Sequence, residues 1–151
     1  MTPQYAPFTH IRPARQSDVD AVYEFISDLE QTTPDSARFR TIFEQNLASP
    51  TVHYFIAEWA GVVVGFVSCH AQPLLHHTGT IGEIQELYVK PDHRNQGIGH
   101  LLVATLDALS VQEGFVNLEV TTSRTRTDTV RFYERNRFFN THVKLVKPVQ
   151  S

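Results

Sequence analysis

Apolar residues along the chain recur in two rhythms, and the switches between them mark out strands and helices. Positions 7–13 read as a first strand that ends at Pro13. Val19, Val22, Tyr23, Ile26 and Leu29 then fall at helical spacing behind Ser17-x-x-Asp20, a capping-box-like start. A second helix carries Phe39, Ile42, Phe43 and Leu47 on its buried face, with Asp35 or Ser36 as its cap and Pro50 as its stop. Residues 54–59 and 62–70 are β-branched and aromatic runs joined by Ala60-Gly61, the pattern of a β-hairpin. Ile98, Leu101, Leu102, Leu106 and Leu109 place one apolar stripe on a helix over 97–112, with Gly114 as its cap. Residues 115–120 follow as a strand, 127–136 as a helix and 138–146 as a last strand.

Between residues 82 and 89 the alternation slips. Ile84 is apolar on the even phase, Leu87 and Val89 on the odd phase, and polar Gln85 and Glu86 lie between. A strand keeps its phase unless a residue is inserted, so the slip predicts a β-bulge. Pro91 and Asp92 end that strand, and Arg94-Asn95-Gln96-Gly97-Ile98-Gly99 opens the next helix. The first turn of a helix presents amides without internal partners at the positive end of the peptide dipoles, an arrangement that holds a diphosphate. Two glycines there remove side chains that would block such a ligand. The segment lacks both the Gly-Lys-Ser/Thr ending of a P-loop and the third glycine of a dinucleotide fingerprint, and Gly-x-Gly alone also fits a tight turn.

A length of 151 residues fits one domain, 1–151, with a core that needs no metal or disulfide. No apolar run approaches the roughly 20 residues of a membrane span. Residues 1–9 lack a basic start followed by an apolar stretch, so secretion is not indicated. The lone Cys69 forms no internal disulfide, which fits a cytoplasmic setting. A net charge of −3 excludes a protein that holds nucleic acid by bulk electrostatics. Arg124, Arg126, Arg131, Arg135 and Arg137 form a local basic cluster, which reads as a solvated face unless Arg124 or Arg126 binds an anion.

Arg94, Gly97 and Gly99 match the Arg/Gln-x-x-Gly-x-Gly/Ala motif of the GNAT superfamily of acetyl-CoA-dependent N-acetyltransferases, which the chain resembles from Ile11-Arg12-Pro13-Ala14 to Phe138. Phe132-Tyr133-Glu134-Arg135-Asn136-Arg137-Phe138 is similar to that family's Phe/Leu-Tyr-Glu-x-x-Gly-Phe, with Arg137 where glycine is usual. The helix end should therefore be left-handed at Arg137, at a small cost in stability. The resemblance implies an α/β (α+β) fold: a mixed, mostly antiparallel sheet of six to seven strands, split in a V between strands 4 and 5, flanked by about four helices. Leu75-His76-His77, Ile81-Gly82-Glu83-Ile84-Gln85-Glu86-Leu87, Arg126-x-Asp128 and Arg131-Phe132-Tyr133 look like the aminoalkylphosphonate N-acetyltransferases. The acceptor is then the primary amine of a small molecule, and a homodimer is implied, as in many relatives.

Acetyl transfer from a thioester to an amine needs a base, an oriented carbonyl, a donor to the oxyanion and an acid for the thiolate. Glu86 in the bulged strand is the first candidate base and Glu83 the second; either could instead pair with an arginine or face solvent. Backbone amides of Leu87, Tyr88 and Val89 are candidates for the carbonyl and the pantetheine arm of acetyl-CoA. Arg94, Asn95, Gln96, Gly97, Ile98, Gly99 and His100 are candidates for its diphosphate. Tyr133 matches the family's tyrosine that protonates the thiolate. Arg126 stands where many members contact the cofactor, while Arg124 and His77 are candidates for the acceptor. A covalent route through Cys69 is disfavoured, because its neighbour His70 should point to the opposite face of a strand. His70, His76 and His77 could bind Zn²⁺, but no cysteine or carboxylate completes a set and a polar loop is favoured, so no metal is assigned. Two other readings fit motif A: a peptide or protein N-acetyltransferase, and a CoA-binding sensor without turnover.

Overall fold

The structure, a computed structural model, describes residues 8–150. Position 7 of the predicted first strand lies outside the described residues. Strand β1 (Thr9–Pro13) is followed by helices α1 (Val19–Glu30) and α2 (Ser36–Leu47). The hairpin β2 (Val52–Trp59) and β3 (Val62–Leu74) comes next, then β4 (Gly79–Val89), helix α3 (Ile98–Glu113), β5 (Leu118–Val120) and helix α4 (Thr127–Arg135). The sheet runs β1-β2-β3-β4-β5, antiparallel except for β5, which lies parallel to β4. Ala60 and Gly61 both take positive φ, 50° and 82°, the geometry of a two-residue hairpin turn that follows strand twist.

Alternate strand residues feed two cores. On one face Ala57, Val67, Ile84 and Val89 pack with Ile98, Leu102, Leu106 and Tyr133 of α3 and α4. On the other, Ile56, Phe66 and Tyr88 pack with Val22 and Phe25 of α1 and Phe43 of α2. The slip in β4 is a bulge: Val67 pairs with Leu87 and Cys69 with Ile84, so Ser68 alone faces both Gln85 and Glu86. Ile84 therefore reaches the α3 face from an even position, and Leu87 and Val89 reach it from odd ones.

Several expectations need correction. The sheet has five strands among the described residues, not six to seven. Residues 138–146 form no strand. Phe139 and Leu145 are 84% and 90% exposed, and apolar residues become a strand only where an edge pairs with them. Strand β5 is three residues, not six: Phe115 N still donates to Ser110 O at the end of α3, and although Val116 N and Asn117 O bond to Thr80 O and Gly82 N of β4, the regular ladder begins at Leu118. Ser17-x-x-Asp20 does not cap α1, since a one-turn 3₁₀ helix over Gln16–Asp18 precedes it. Asp18 instead accepts from the Arg15 amide at 2.7 Å and receives a two-pronged bond from Arg12, 2.8 Å on each oxygen. Burial opposes the Asp18 charge, yet these donors hold its carboxyl below the ordinary value. Ile42 is 56% exposed and only Phe43 of α2 is buried, because α2 rests on the sheet along a narrow stripe.

Other local readings hold. Asp35 caps α2 through the Arg38 amide at 2.8 Å, Gly114 ends α3 at φ 72°, and Arg137 is left-handed at φ 70°. A side chain in that conformation costs about 1–2 kcal/mol.

Leu102 is fully buried at the centre of the α3 face. Leu102→Ala is expected to lower unfolding free energy in urea by about 2–5 kcal/mol. A loss below about 1 kcal/mol would contradict its place in that core.

Candidate active site

The ladder between β4 and β5 spans three pairs, Gly82 with Leu118 to Ile84 with Val120. Beyond it β4 runs on through Val89 while the other chain turns away into residues 121–126. Between them opens a groove of about 2000 Å³. Glu83, Glu86 and Leu87 of β4, Arg124 and Arg126 of the loop, Tyr133 of α4 and His77 line it. The structure thus brings the predicted base, acid and acceptor residues to one cavity.

The bulge decides which amides face that cavity. Lys90 N donates to Val64 O at 2.8 Å. Amides alternate in direction along an antiparallel strand, so the amide of Tyr88 faces β3 and those of Leu87 and Val89 face the open side. On the other side of the bulge the parity is reversed, for Gly82 N donates towards β5, to Asn117 O at 3.0 Å. The Tyr88 side chain is not at the opening: it is buried on the α1 face, stacked on Phe25 at 4.9 Å, and its hydroxyl donates to Asp28. Burial, followed by the Asp28 carboxylate, pushes that phenol up to about 12.

Glu86 is half-buried, and its carboxylate accepts from the Ser68 hydroxyl. Glu83 accepts from the Gln85 side-chain amide and is the register partner of Glu119. Glu119 lies 3.4 Å from His77 Nε2, which sets an imidazole beside two neighbouring carboxylates. The Tyr133 ring is 6% exposed and edge-on to Phe132 and Phe138, at 5.1 and 5.3 Å. Burial pushes its phenol well above the usual value, so at neutral pH it carries its proton. Cys69 is fully buried, and desolvation pushes its thiol up to about 11, the environment of an inert core residue. Among the described residues no group of three or more His, Cys, Asp or Glu is placed to hold a metal.

At the end of β4 the chain makes a one-turn 3₁₀ helix over Pro91–His93, passes left-handed Asn95 at φ 61° and enters α3 through Gly97 at φ 88°. Helix α3 has neither a side-chain cap nor an acidic residue in its first turn. Its first-turn amides are thus free of side-chain competition for an anion, and the loop fits the diphosphate expected of it. The two glycines do different work. Gly97 supplies the positive φ. A Cβ on Gly99 would stand 3.0 Å from Phe132 Cε1, so this glycine makes room for α4 and does not clear a path for phosphate. Arg94 is spent at the root of the loop, where Nε donates to Val89 O at 2.8 Å and the guanidinium lies 5.3 Å from the Tyr88 ring centre. His100 Nδ1 meets Asn136 Oδ1 at 2.7 Å, tying the start of α3 to the end of α4. Arg126 Nη2 reaches the Leu29 carbonyl in the last turn of α1 at 3.3 Å.

Three participants escaped the sequence reading: Asp28, Asn136 and Ser68. The first two are ordinary surface-type residues at helix ends and carry no signal. Ser68 did carry one, as the only hydroxyl in the apolar run over 62–69.

The sequence profile of the acetyltransferase (GNAT) family matches residues 19–138. An aminoalkylphosphonate N-acetyltransferase of Salmonella typhimurium (strain LT2) is 40% identical over 141 residues, 93% of this chain and 92% of that protein. A transcriptional regulator from Bacillus halodurans C-125 superposes with a TM-score of 0.86 at 22% identity, over 93% of this chain and 99% of that one. The aminoglycoside N-acetyltransferase AAC(6')-Iy in complex with CoA gives a TM-score of 0.84 at 17% identity, over 95% of each chain. Likeness at such low identity speaks for the fold alone, but the profile and the 40% relative reach further. This chain belongs to the GNAT family and is an acetyl-CoA-dependent N-acetyltransferase.

Proposed function

We propose that the acceptor is the primary amine of a small aminoalkylphosphonate and that acetyl passes to it directly. The observation that carries this reading is the meeting of Glu86, the outward-facing Leu87 amide and Tyr133 in one groove whose rim holds Arg124 and Arg126. Similarity over nearly the whole chain to an enzyme that bears the aminoalkylphosphonate name supports the choice of acceptor.

An alkylammonium has a pKa near 10, so Glu86, directly or through one water, takes a proton and leaves a neutral amine. The nitrogen lone pair attacks the thioester carbon, forming the C–N bond. The Leu87 N–H donates to the oxygen that gains charge. Collapse of the adduct breaks the C–S bond, and the thiolate takes the Tyr133 proton. The second nitrogen proton returns to the phenolate through solvent, and the proton on Glu86 leaves to bulk. A phenol whose pKa is raised by burial is a poor anion, so its proton moves only as the thiolate develops. Arg124 and Arg126 offer planar forks that match two phosphonate oxygens. His77, paired with Glu119, borders the same space. The inert Cys69 offers no covalent alternative.

Thiol release from acetyl-CoA across an amine panel tests the acceptor. Aminoalkylphosphonates are expected to show kcat/KM at least about tenfold above polyamines and aminoglycosides, because a site built to bond an anion penalises its absence. Equal rates across the panel would contradict the assignment.

Tyr133→Phe is expected to lower kcat by about 10²-fold while leaving acetyl-CoA affinity, read by calorimetry, within about twofold. Glu86→Gln should lose a similar factor, since an amide cannot accept the proton that the carboxylate takes. Wild-type turnover in either variant would remove that residue from its role.

A further inference from the structure

Ser68 is 0% exposed in the middle of β3, and a buried hydroxyl there is costly unless both its hydrogen and its lone pairs are used. They are used on one residue. The Glu86 amide donates to Ser68 Oγ at 2.9 Å, and the same hydroxyl donates its proton to Glu86 Oε1. Ser68 is also the single residue that faces the two-residue bulge of β4, so this bond pair closes over the amide that an inserted residue would otherwise strand. The other carboxylate oxygen stays available to the groove. Tyr54 of β2, the register partner of Ser68, is held by Asn46 at 2.6 Å. Tyr54 feels the Glu86 charge, and Glu30, Glu83, Arg124, Arg126 and Tyr133 are among the titratable or charged groups that line the same groove.

We propose that Ser68 is a positioning residue for acetyl transfer: its hydroxyl fixes the bulge amide and the carboxylate of Glu86 in one stroke, so that the feature that opens the sheet also aims the base. The proposal rests on the reading of Glu86 as base. Losing the donor frees the carboxylate to rotate and leaves the bulge amide without its acceptor.

Ser68→Ala should lower kcat about tenfold with KM for acetyl-CoA held within about twofold. Amide exchange at Glu86, followed by NMR without any substrate, should speed up because its acceptor is gone. Ser68→Cys keeps the volume with a weak donor and should likewise lower kcat and speed Glu86 exchange, which covers the case in which alanine does not fold. Ser68→Thr keeps the hydroxyl and should restore both kcat and the protection of the Glu86 amide. Unchanged kcat and unchanged Glu86 exchange in Ser68→Ala or Ser68→Cys, with Glu86→Gln inactive, overturns the role of Ser68 and leaves the base in place. Full turnover by Glu86→Gln overturns the base, and the positioning role with it.

Discussion

One residue too many in β4 governs this molecule. Before the bulge, even-numbered residues turn their amides to β5 and their side chains to α3; after it, odd-numbered residues do both. The same insertion therefore sends the Leu87 and Val89 amides into the open groove and keeps their side chains in the core. In an unbulged strand Leu87 and Val89 would turn their amides to β3 and their side chains to the α1 face together. The cost of the irregularity is a single displaced amide, that of Glu86, and Ser68 satisfies it.

The surroundings are arranged to keep that geometry from relaxing. Tyr88, the one residue past the bulge whose side chain crosses to the α1 face, bonds Asp28 and lies beneath Arg94, which in turn holds the Val89 carbonyl. The last turn of α1 thus reaches the β4–α3 loop on one side and, through Leu29 and Arg126, the β5–α4 loop on the other. On the opposite face Phe132 fills the space that Gly99 leaves open, and His100 and Asn136 pin α3 to α4. Tyr133 acquires its dry position from this packing.

Much of this was legible in the chain. The helical stripe of Ile98, Leu102 and Leu106, the Asp35 cap, the Ala60-Gly61 turn and the phase slip at Gln85 and Glu86 each depend on neighbours in sequence, and each stands where periodicity put it. What escaped depends on partners far along the chain. Ser68 and Glu86 are 18 residues apart, and Asp28 and Tyr88 are 60 apart. Local pattern carries no information about such meetings. Residues 138–146 fail in the opposite way: their composition favours a strand, but a strand is a pairing, and they pair with neither edge of the sheet, β1 nor β5. The glycines teach a similar lesson, since the motif marks both Gly97 and Gly99 while only the fold separates the one that turns the chain from the one that admits Phe132.

The central claim is that amides turned outward by the bulge receive the pantetheine arm of the cofactor. Residue-resolved amide exchange by NMR, with and without CoA, tests it most directly. Leu87 and Val89 should gain protection on CoA addition, together with the first-turn amides of α3, while Tyr88, already bonded within the sheet, should not change. Protection at Tyr88 with none at Leu87 and Val89, or no protection anywhere in residues 87–100 at saturating CoA, would contradict the account.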